Sequence, residues 1–458
     1  MSDFPDLVVA GAGGGLVAAL RAAQAGLSVV VVERSEHFAR GNNTAMSTAM
    51  VPGAGSRWQA EAGIDDTPEL FFADIMRKTR GQADEVLARA LTQVSARLVT
   101  WLADDVGLPM SLVTDFRYPG HSRLRCHTVP GRSGRGVLSG LLAAVRTHES
   151  IDMLCPARLT GVTAGSDGVE AVSVTRPDGQ TETIPTRAVL LATNGFGADR
   201  ELVAQHIPEI AGATYHGSAE STGDALRIGA ALGADVAFLD AYQGHAGLAL
   251  PAATLASWAT VMQGAFLVND QGRRFGDETV GYSEYAREVL AHADGRAVII
   301  LDRRIHDACL AFDDFKDTVE SGAVRWGETA EELATAVGVD PDGLAATVAQ
   351  TAEIAAGRAR DEFGRTEWVQ PLQPPYAGIR VVPALFHTQG GLRVDGHARV
   401  LRTDGTPISG LYASGGAAMS ISGHGASGYL AGNGLLPALG LAFLAAEHVA
   451  GVASGDAG

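Results

Sequence analysis

Residues 6–33 constrain this chain most. They read Asp6-Leu-Val-Val-Ala-Gly11-Ala-Gly13-Gly14-Gly15-Leu16, then an Ala-rich run, then Leu27-Ser-Val-Val-Val-Val-Glu33. An apolar run, a glycine cluster, helical spacing of Leu16, Leu20, Ala23 and Leu27, and a second apolar run predict strand, tight turn, helix, strand. Gly11 and Gly13 fall where the first strand must turn, and a residue without a Cβ lets the backbone approach a pyrophosphate. The helix that follows starts at Gly14 and Gly15 and aims its amides and positive dipole end at that phosphate. Glu33, about 20 residues past the glycines, is placed to accept the ribose hydroxyls of an adenine dinucleotide, with Arg34 beside it. Leu16 takes the third glycine position of G-x-G-x-x-G, which serves close helix–strand packing. Gly14 and Gly15 are expected to compensate. The pattern specifies an α/β fold.

With 458 residues the chain is long enough for two domains or more. A net charge of −17 argues against nucleic acid or an anionic membrane surface as partner. Cys126, Cys155 and Cys309 stand far apart and form no C-x-x-C pair, so no cysteine-built metal or cluster site and no haem attachment is expected. The start, Met-Ser-Asp-Phe-Pro-Asp, lacks the features of an export signal. The apolar run 435–446 is expected to be too short to span a bilayer and to form a buried helix. A cytoplasmic location is the expectation.

Further along, the loop 38–50 carries Gly41, Asn42, Asn43, Thr44 and Ser47, small and hydroxyl-bearing residues suited to a cofactor. Residues 68–81 and 84–107 read as helices, the first opened by Thr67 and Pro68. Tyr118, His121, Arg123, Arg125, His127, Arg132 and Arg135 crowd a glycine-rich loop before a helix from Val137. This predicts an anion site, for either a cofactor phosphate or a substrate carboxylate, with Tyr118, Arg125 and His127 as substrate contacts. Strands at 169–175 and 181–186 flank a Pro-Asp-Gly turn. Ala188-Val-Leu-Leu-Ala-Thr193-Asn194-Gly195 is a buried strand ending in a tight turn. Composition places an inserted second domain at 238–372, closed by Pro371, Pro374 and Pro375, between first-domain parts 1–237 and 373–458. Gly410-Leu-Tyr-Ala-Ser-Gly415 is a strand and turn, and residues 423–436 form a glycine-rich loop running into the last helix through Asn433, Gly434, Leu435 and Leu436.

Together these motifs resemble the flavoproteins of the fumarate reductase and succinate dehydrogenase family. The likeness rests on Gly-Asn-Asn-Thr at 41–44, Ala-Thr-Asn-Gly-Phe at 192–196, Thr-Gly-Asp at 222–224, Gly-Arg-Arg-Phe at 272–275, His-Thr-Gln-Gly-Gly at 387–391 and Gly-Leu-Tyr-Ala-Ser-Gly at 410–415. It implies a Rossmann-like FAD-binding domain, non-covalent FAD, an inserted α+β capping (substrate) domain, and a substrate held between the two. The implied FAD contacts are Gly11, Gly13, Gly14, Gly15, Glu33, Arg34, Gly41, Asn42, Asn43, Thr44, Ser47, Thr193, Asn194, Gly195, Gly415, Asn433, Gly434, Leu435 and Leu436. The chain departs from the fumarate reductases where they hold substrate. Their last-loop arginine is Tyr429 here, no arginine stands between Glu278 and Tyr282 after Arg274-Phe-Gly-Asp, and Gly416 replaces a glutamate. Tyr282 and Tyr429-Leu-Ala-Gly-Asn-Gly434 resemble instead the 3-ketosteroid and tricarballylate dehydrogenase branch.

That branch implies an FAD-dependent dehydrogenase that introduces a C=C bond next to a carbonyl or carboxylate. Candidate substrates are a small cyclic ketone, an oxo-acid or a ketosteroid. Tyr429 and the Gly434 amide are the candidate donors to the substrate oxygen. Tyr282 is the candidate base, provided a cation or dipole lowers its pKa from about 10. His387 is expected to hydrogen-bond a substrate oxygen or carboxylate, and Arg274 to pair with acids. The alternative is a fumarate-type enoate or enone reductase using an external electron donor. A third reading, from another class, is a flavin-holding subunit without turnover. The expected partners are a small-molecule substrate and an external electron acceptor or donor.

Overall fold

A computed structural model describes residues 4–454, which divide into two compact units. One comprises the chain up to Ile207, Gly217–Tyr242 and the chain from His387; the other comprises Pro208–His216 and Gln243–Phe386. The second unit's main segment runs Gln243–Phe386, where composition places 238–372, and Pro208–His216 joins it from before that boundary. The prolines at 371–375 precede a strand, Tyr376–Thr388, that is central to the second unit's own sheet.

The first unit is built on a six-stranded sheet in the order Arg399–Leu401, Pro407–Ala413, Val189–Leu191, Leu7–Ala10, Val29–Val32, Ile151–Leu154. All pairs are parallel except the first. Leu7–Ala10 is buried along its whole length, as a parallel strand covered on both faces must be. The helix Gly15–Gln24 packs against the sheet and against the terminal helix Leu435–Ser454. Leu16 is fully buried in this core. The close approach expected of a third glycine is made by Gly15, where a Cβ would stand 2.6 Å from Val9 Cγ1 and 3.2 Å from Ala192 Cβ.

The expected helices run Pro68–Lys78 and Glu85–Asp104, and the Thr67 side chain caps the first by accepting the Leu70 amide. The expected hairpin gains a strand before it, making an antiparallel meander of Arg158–Gly165, Gly168–Thr175 and Thr181–Pro185. The terminal helix corrects the expectation of a short apolar run. It continues past Ala446 to Ser454, and among the described residues it is the one helix long and apolar enough to cross a membrane. Most of it is buried within its unit, where Glu447 pairs with Arg21 and Arg97.

The second unit has a seven-stranded mixed sheet. Thr254–Leu255, Tyr242–Ala249, Tyr376–Thr388, Ala297–Asp302 and Phe266–Val268 follow in order, with Thr214–Tyr215 and Val324–Gly327 also paired to Tyr376–Thr388. Beside it, buried Glu278 takes both Arg274 and Arg365, and Arg274 also meets Asp361. Arg274 is therefore a structural residue, as its acidic neighbours suggested.

The first turn sets a sharp test. Gly11 has φ +110°, and a Cβ there would lie 2.3 Å from the Ala192 carbonyl oxygen. Gly11→Ala is expected to cost about 2 kcal/mol or more through strain and overpacking, read as a lower denaturant midpoint. An unchanged midpoint would show that the turn relaxes freely.

Candidate active site

The glycine turn forms a cradle bounded by backbone. A Cβ at Gly13 would meet Thr44 Oγ1 at 3.1 Å, and one at Gly14 would meet the Ala438 carbonyl oxygen at 2.6 Å. Gly14 caps the helix Gly15–Gln24 without a side-chain hydrogen bond, so the helix N-terminus is open to an anion. Glu33 is buried at the end of its strand, where Oε2 accepts the Ala12 amide at 2.8 Å and Oε1 the Ser35 amide at 2.9 Å. Each oxygen keeps a further lone pair for a ribose hydroxyl. Burial raises the Glu33 carboxyl above its ordinary value, against the lowering effect of those two amides.

The loop 38–50 serves this cradle mostly by shaping itself. Asn42 accepts the Ala45 amide and donates to the Ala12 carbonyl, Asn43 accepts the Ser218 amide, and Ser47 donates to the Thr44 carbonyl. Thr44 and Asn42 are the side chains of the set that stand beside the glycines, whereas Gly41 lies exposed in a short helix with open space around it. Arg34 is held by Glu220, Thr222 and Asp224, so it anchors the segment 220–224 instead of presenting its guanidinium to the cofactor.

A second group of residues converges through turns. Asn194 adopts φ +65° and donates to Ser221 Oγ, while Gly195 lies so close to Thr388 that a Cβ would be 1.9 Å from Thr388 Oγ1. Gly415, with φ +60°, lies against Ala438 in the first turns of the terminal helix. At Gly416 a Cβ would be 2.5 Å from Asn194 Oδ1 and 2.7 Å from the Gly195 nitrogen, so the family's glutamate has no room in this backbone. Five buried side-chain atoms here meet no partner among the described residues: Thr193 Oγ1, Asn433 Oδ1, Gln389 Nε2, Ser414 Oγ and Ser420 Oγ. Buried polar atoms are rarely left unpaired. With the cradle, they mark a surface prepared for a polar ligand such as FAD. Gln389, Ser414 and Ser420 were not singled out from the sequence, although two of them lie inside the quoted motifs. The Leu436 amide is already bonded to the Gly432 carbonyl, which removes it from the expected cofactor donors.

The substrate-side candidates of the first unit gather beside Gly434. A Cβ on Gly434 would be 3.0 Å from His387 Nε2 and 3.7 Å from the Tyr429 hydroxyl, so the missing side chain leaves a niche bounded by these two groups. His387 Nδ1 faces the Thr388 carbonyl at 3.1 Å and so carries the ring proton. Burial lowers the His387 pKa, which keeps the ring neutral with a bare lone pair at Nε2. His387 therefore accepts at this niche. Tyr118 is buried, packs edge-on against Phe116 and lies within electrostatic range of Tyr429. Burial first, then Cys126, pushes its phenol well above its usual value, so it stays protonated.

The expected anion site is corrected by the structure. Arg125 is fully buried and binds Asp66 through Nε and Nη2 at 2.9 and 2.8 Å, and Asp74 through Nη1. Burial would raise the Asp74 carboxyl, but the Ser122 amide and Arg125 more than offset it, and its pKa is lowered. His127 is buried, bonded to Ser56 Oγ at 2.7 Å, and pushed down to about 4 by burial. Neither Arg125 nor His127 is free to hold a carboxylate.

In the second unit, Tyr282 is the first residue of the helix Tyr282–His292, after the cap residue Gly281. His245, missed in the sequence, stacks between Tyr282 and Phe386 with ring centroids 4.8 and 5.1 Å away. Its Nδ1 accepts the Gly247 amide at 2.9 Å, which puts the ring proton on Nε2. Burial and then His216 lower it to about 3, so it is neutral and lends Tyr282 no positive charge.

With this geometry in view, comparison with known proteins assigns the class. The chain matches the FAD_binding_2 family, described as an FAD binding domain, over residues 6–435, and it belongs to that family. It is an FAD-dependent oxidoreductase, of the dehydrogenase or reductase class. It is 28% identical over 415 residues to the NADH:fumarate oxidoreductase of Klebsiella pneumoniae, covering 90% of this chain but 44% of that protein, less than half its length. It is 28% identical over 548 residues to the 4-oxocyclohexanecarboxylate 2-dehydrogenase of Sinomonas cyclohexanicum, covering 98% of this chain and 93% of that one. The 3-ketosteroid delta1-dehydrogenase from Sterolibacterium denitrificans shares the fold, with a TM-score of 0.78, 21% identity, and coverage of 98% of this chain and 100% of that one.

Two outcomes follow from the buried groups. Arg125→Met leaves Asp66 and Asp74 without their partner and is expected to lower stability by about 3–5 kcal/mol in denaturant unfolding. The folded pKa values of His121 and His127, about 4, lie below the ordinary histidine value of 6.5. Their contribution to stability is therefore complete above pH 6.5 and is lost as pH falls towards 4, on the order of a few kcal/mol for the pair. Thermal unfolding between pH 7 and 4 should show this decline, and a flat profile would contradict it.

Proposed function

We propose that this FAD-dependent oxidoreductase is a dehydrogenase that desaturates a small cyclic ketone beside its carbonyl. The observation that supports it is the niche at Gly434. It is bounded by a tyrosine hydroxyl and a neutral histidine lone pair, while the candidate carboxylate clamp, Arg125, is locked in a buried ion pair. A neutral carbonyl suits such a niche better than a dicarboxylate. One relative that matches over 93% of its own length is named for the dehydrogenation of a cyclic ketone acid, and a yeast fumarate reductase matches over the same share of its length.

In this reading the Tyr429 hydroxyl and the Gly434 amide donate to the ketone oxygen and hold it as enolate charge develops. The α-proton needs a base, for which Tyr282 of the second unit is the candidate. Bound FAD supplies the acceptor for the β-hydrogen, which leaves as hydride. Two C–H bonds break, and the electron pair released at the α-carbon forms the C=C bond. His387 accepts through Nε2, so it does not donate to the ketone oxygen. Tyr118, held protonated, can donate within the same neighbourhood. Non-covalent FAD is part of the proposal, since loop 41–50 contains no histidine.

The reverse enzyme, a reductase, draws support from the similarity to an NADH:fumarate oxidoreductase. Anaerobic titration of the FAD-loaded protein separates the two. Bleaching of the oxidised flavin band by 4-oxocyclohexanecarboxylate or cyclohexanone is expected. No bleaching by either, with reoxidation of the dithionite-reduced protein by fumarate or 2-cyclohexenone, would establish the reductase. Tyr429→Phe should retain FAD and lower the bleaching rate by about 100-fold, the usual cost of losing one donor to an oxyanion. An unchanged rate would remove Tyr429 from the reaction.

A further inference from the structure

The loop that carries Tyr429 and Gly434 is anchored by residues from a distant part of the chain. His121 is buried, with 4% of its surface exposed, and its Nε2 lies 3.0 Å from the Ala431 carbonyl oxygen. Its Nδ1 faces Arg125 Nη1 at 3.3 Å. A guanidinium only donates, so Nδ1 accepts and the ring proton sits on Nε2, where it is donated to Ala431. Both ends of the imidazole are thus matched in polarity. Burial and Arg125 push its pKa down to about 4, so the neutral tautomer holds at neutral pH.

The support behind His121 is rigid. Arg125 is fixed by both oxygens of Asp66 and by Asp74, and its guanidinium lies 4.6 Å from the Phe71 ring centroid. Asp74 also accepts the Ser122 amide at 2.7 Å and the Ser122 hydroxyl at 2.8 Å, which fixes the residue next to His121. Further contacts reach the same loop. Gly120 lies against the Leu430 side chain, and a Cβ on Gly432 would stand 2.4 Å from Pro52 Cδ. Ala431 lies two residues after Tyr429 and three before Gly434. A shift of its carbonyl moves both donors.

We propose that His121 is the positioning residue for the substrate-oxygen site. Its Nε2–H bond to the Ala431 carbonyl, backed by Arg125, sets the place of the Tyr429 hydroxyl and the Gly434 amide. The basic loop 118–136 then acts on substrate through the backbone of another loop, without meeting the substrate's charge. The inference rests on the reading of Tyr429 and Gly434 as oxyanion donors.

The test uses the FAD-loaded full chain and 4-nitrophenolate, whose oxygen stands in for an enolate, with affinity read from its absorbance shift. His121→Asn keeps a polar group facing Arg125 but is too short to reach Ala431, and His121→Gln reaches it again. The expected result is binding about tenfold weaker in His121→Asn and restored to within about threefold of wild type in His121→Gln, with FAD content unchanged in both. Wild-type affinity in His121→Asn overturns the proposal. So does a loss of affinity in both variants that merely follows a loss of FAD, because that marks a structural role only. Tyr429→Phe is measured alongside. If it binds the phenolate as wild type does, the donor reading itself fails. If it binds weakly while His121→Asn binds normally, only the positioning role fails.

Discussion

Backbone approaching backbone at the glycine turn is the constraint on which the first unit depends. Gly11 is pressed against the Ala192 carbonyl, Gly14 against the Ala438 carbonyl and Gly15 against Val9. Residues near 11, 192 and 438 are thereby held together, although they are hundreds of positions apart. A Cβ at Gly11 or Gly14 would push these segments apart, and one at Gly15 would meet the Val9 side chain. The same closeness lines the cradle with peptide groups and strands Thr193 Oγ1, Ser414 Oγ and Asn433 Oδ1 in the interior. Those atoms meet no partner among the described residues, which fits a surface built for a polar cofactor.

Charge is arranged on a different principle. The buried arginines serve the scaffold: Arg125 with Asp66 and Asp74 in one unit, Arg274 and Arg365 with Glu278 in the other. A buried guanidinium without acids would carry a severe desolvation cost, so each is surrounded by carboxylates and has little left for a ligand. His387, beside Gly434, is kept neutral by burial. His387 and His245 show how local backbone decides what a neutral imidazole can do. One directs Nδ1–H at a carbonyl and offers a lone pair, while the other accepts an amide at Nδ1 and offers a proton.

The dinucleotide half of the protein was legible in the sequence because its determinants are local. Glycine spacing, helical periodicity and the position of Glu33 act within about thirty residues, and strand, turn and helix follow from them. Even the substitution of Leu16 for a glycine was readable, since Gly15 stood one position away to make the close contact. The loop at 118–136 was not legible in the same way. Its arginines and histidines suggested an anion, and nothing near them in sequence showed that Asp66 and Asp74 would close on Arg125.

The sequence by itself determined the phosphate turn, the α/β class and the motifs that associate with FAD, because those depend on backbone conformation and short-range pattern. Tertiary structure alone decided which polar residues face the ligand and which face each other. It paired Arg34 with Glu220 and turned Arg125 inward to acids, brought His121 to the Ala431 carbonyl, and set the proton on opposite nitrogens of His387 and His245. The reason is that a charged or titratable side chain takes its role from the groups that desolvate and pair with it, and in this chain those groups come from distant segments.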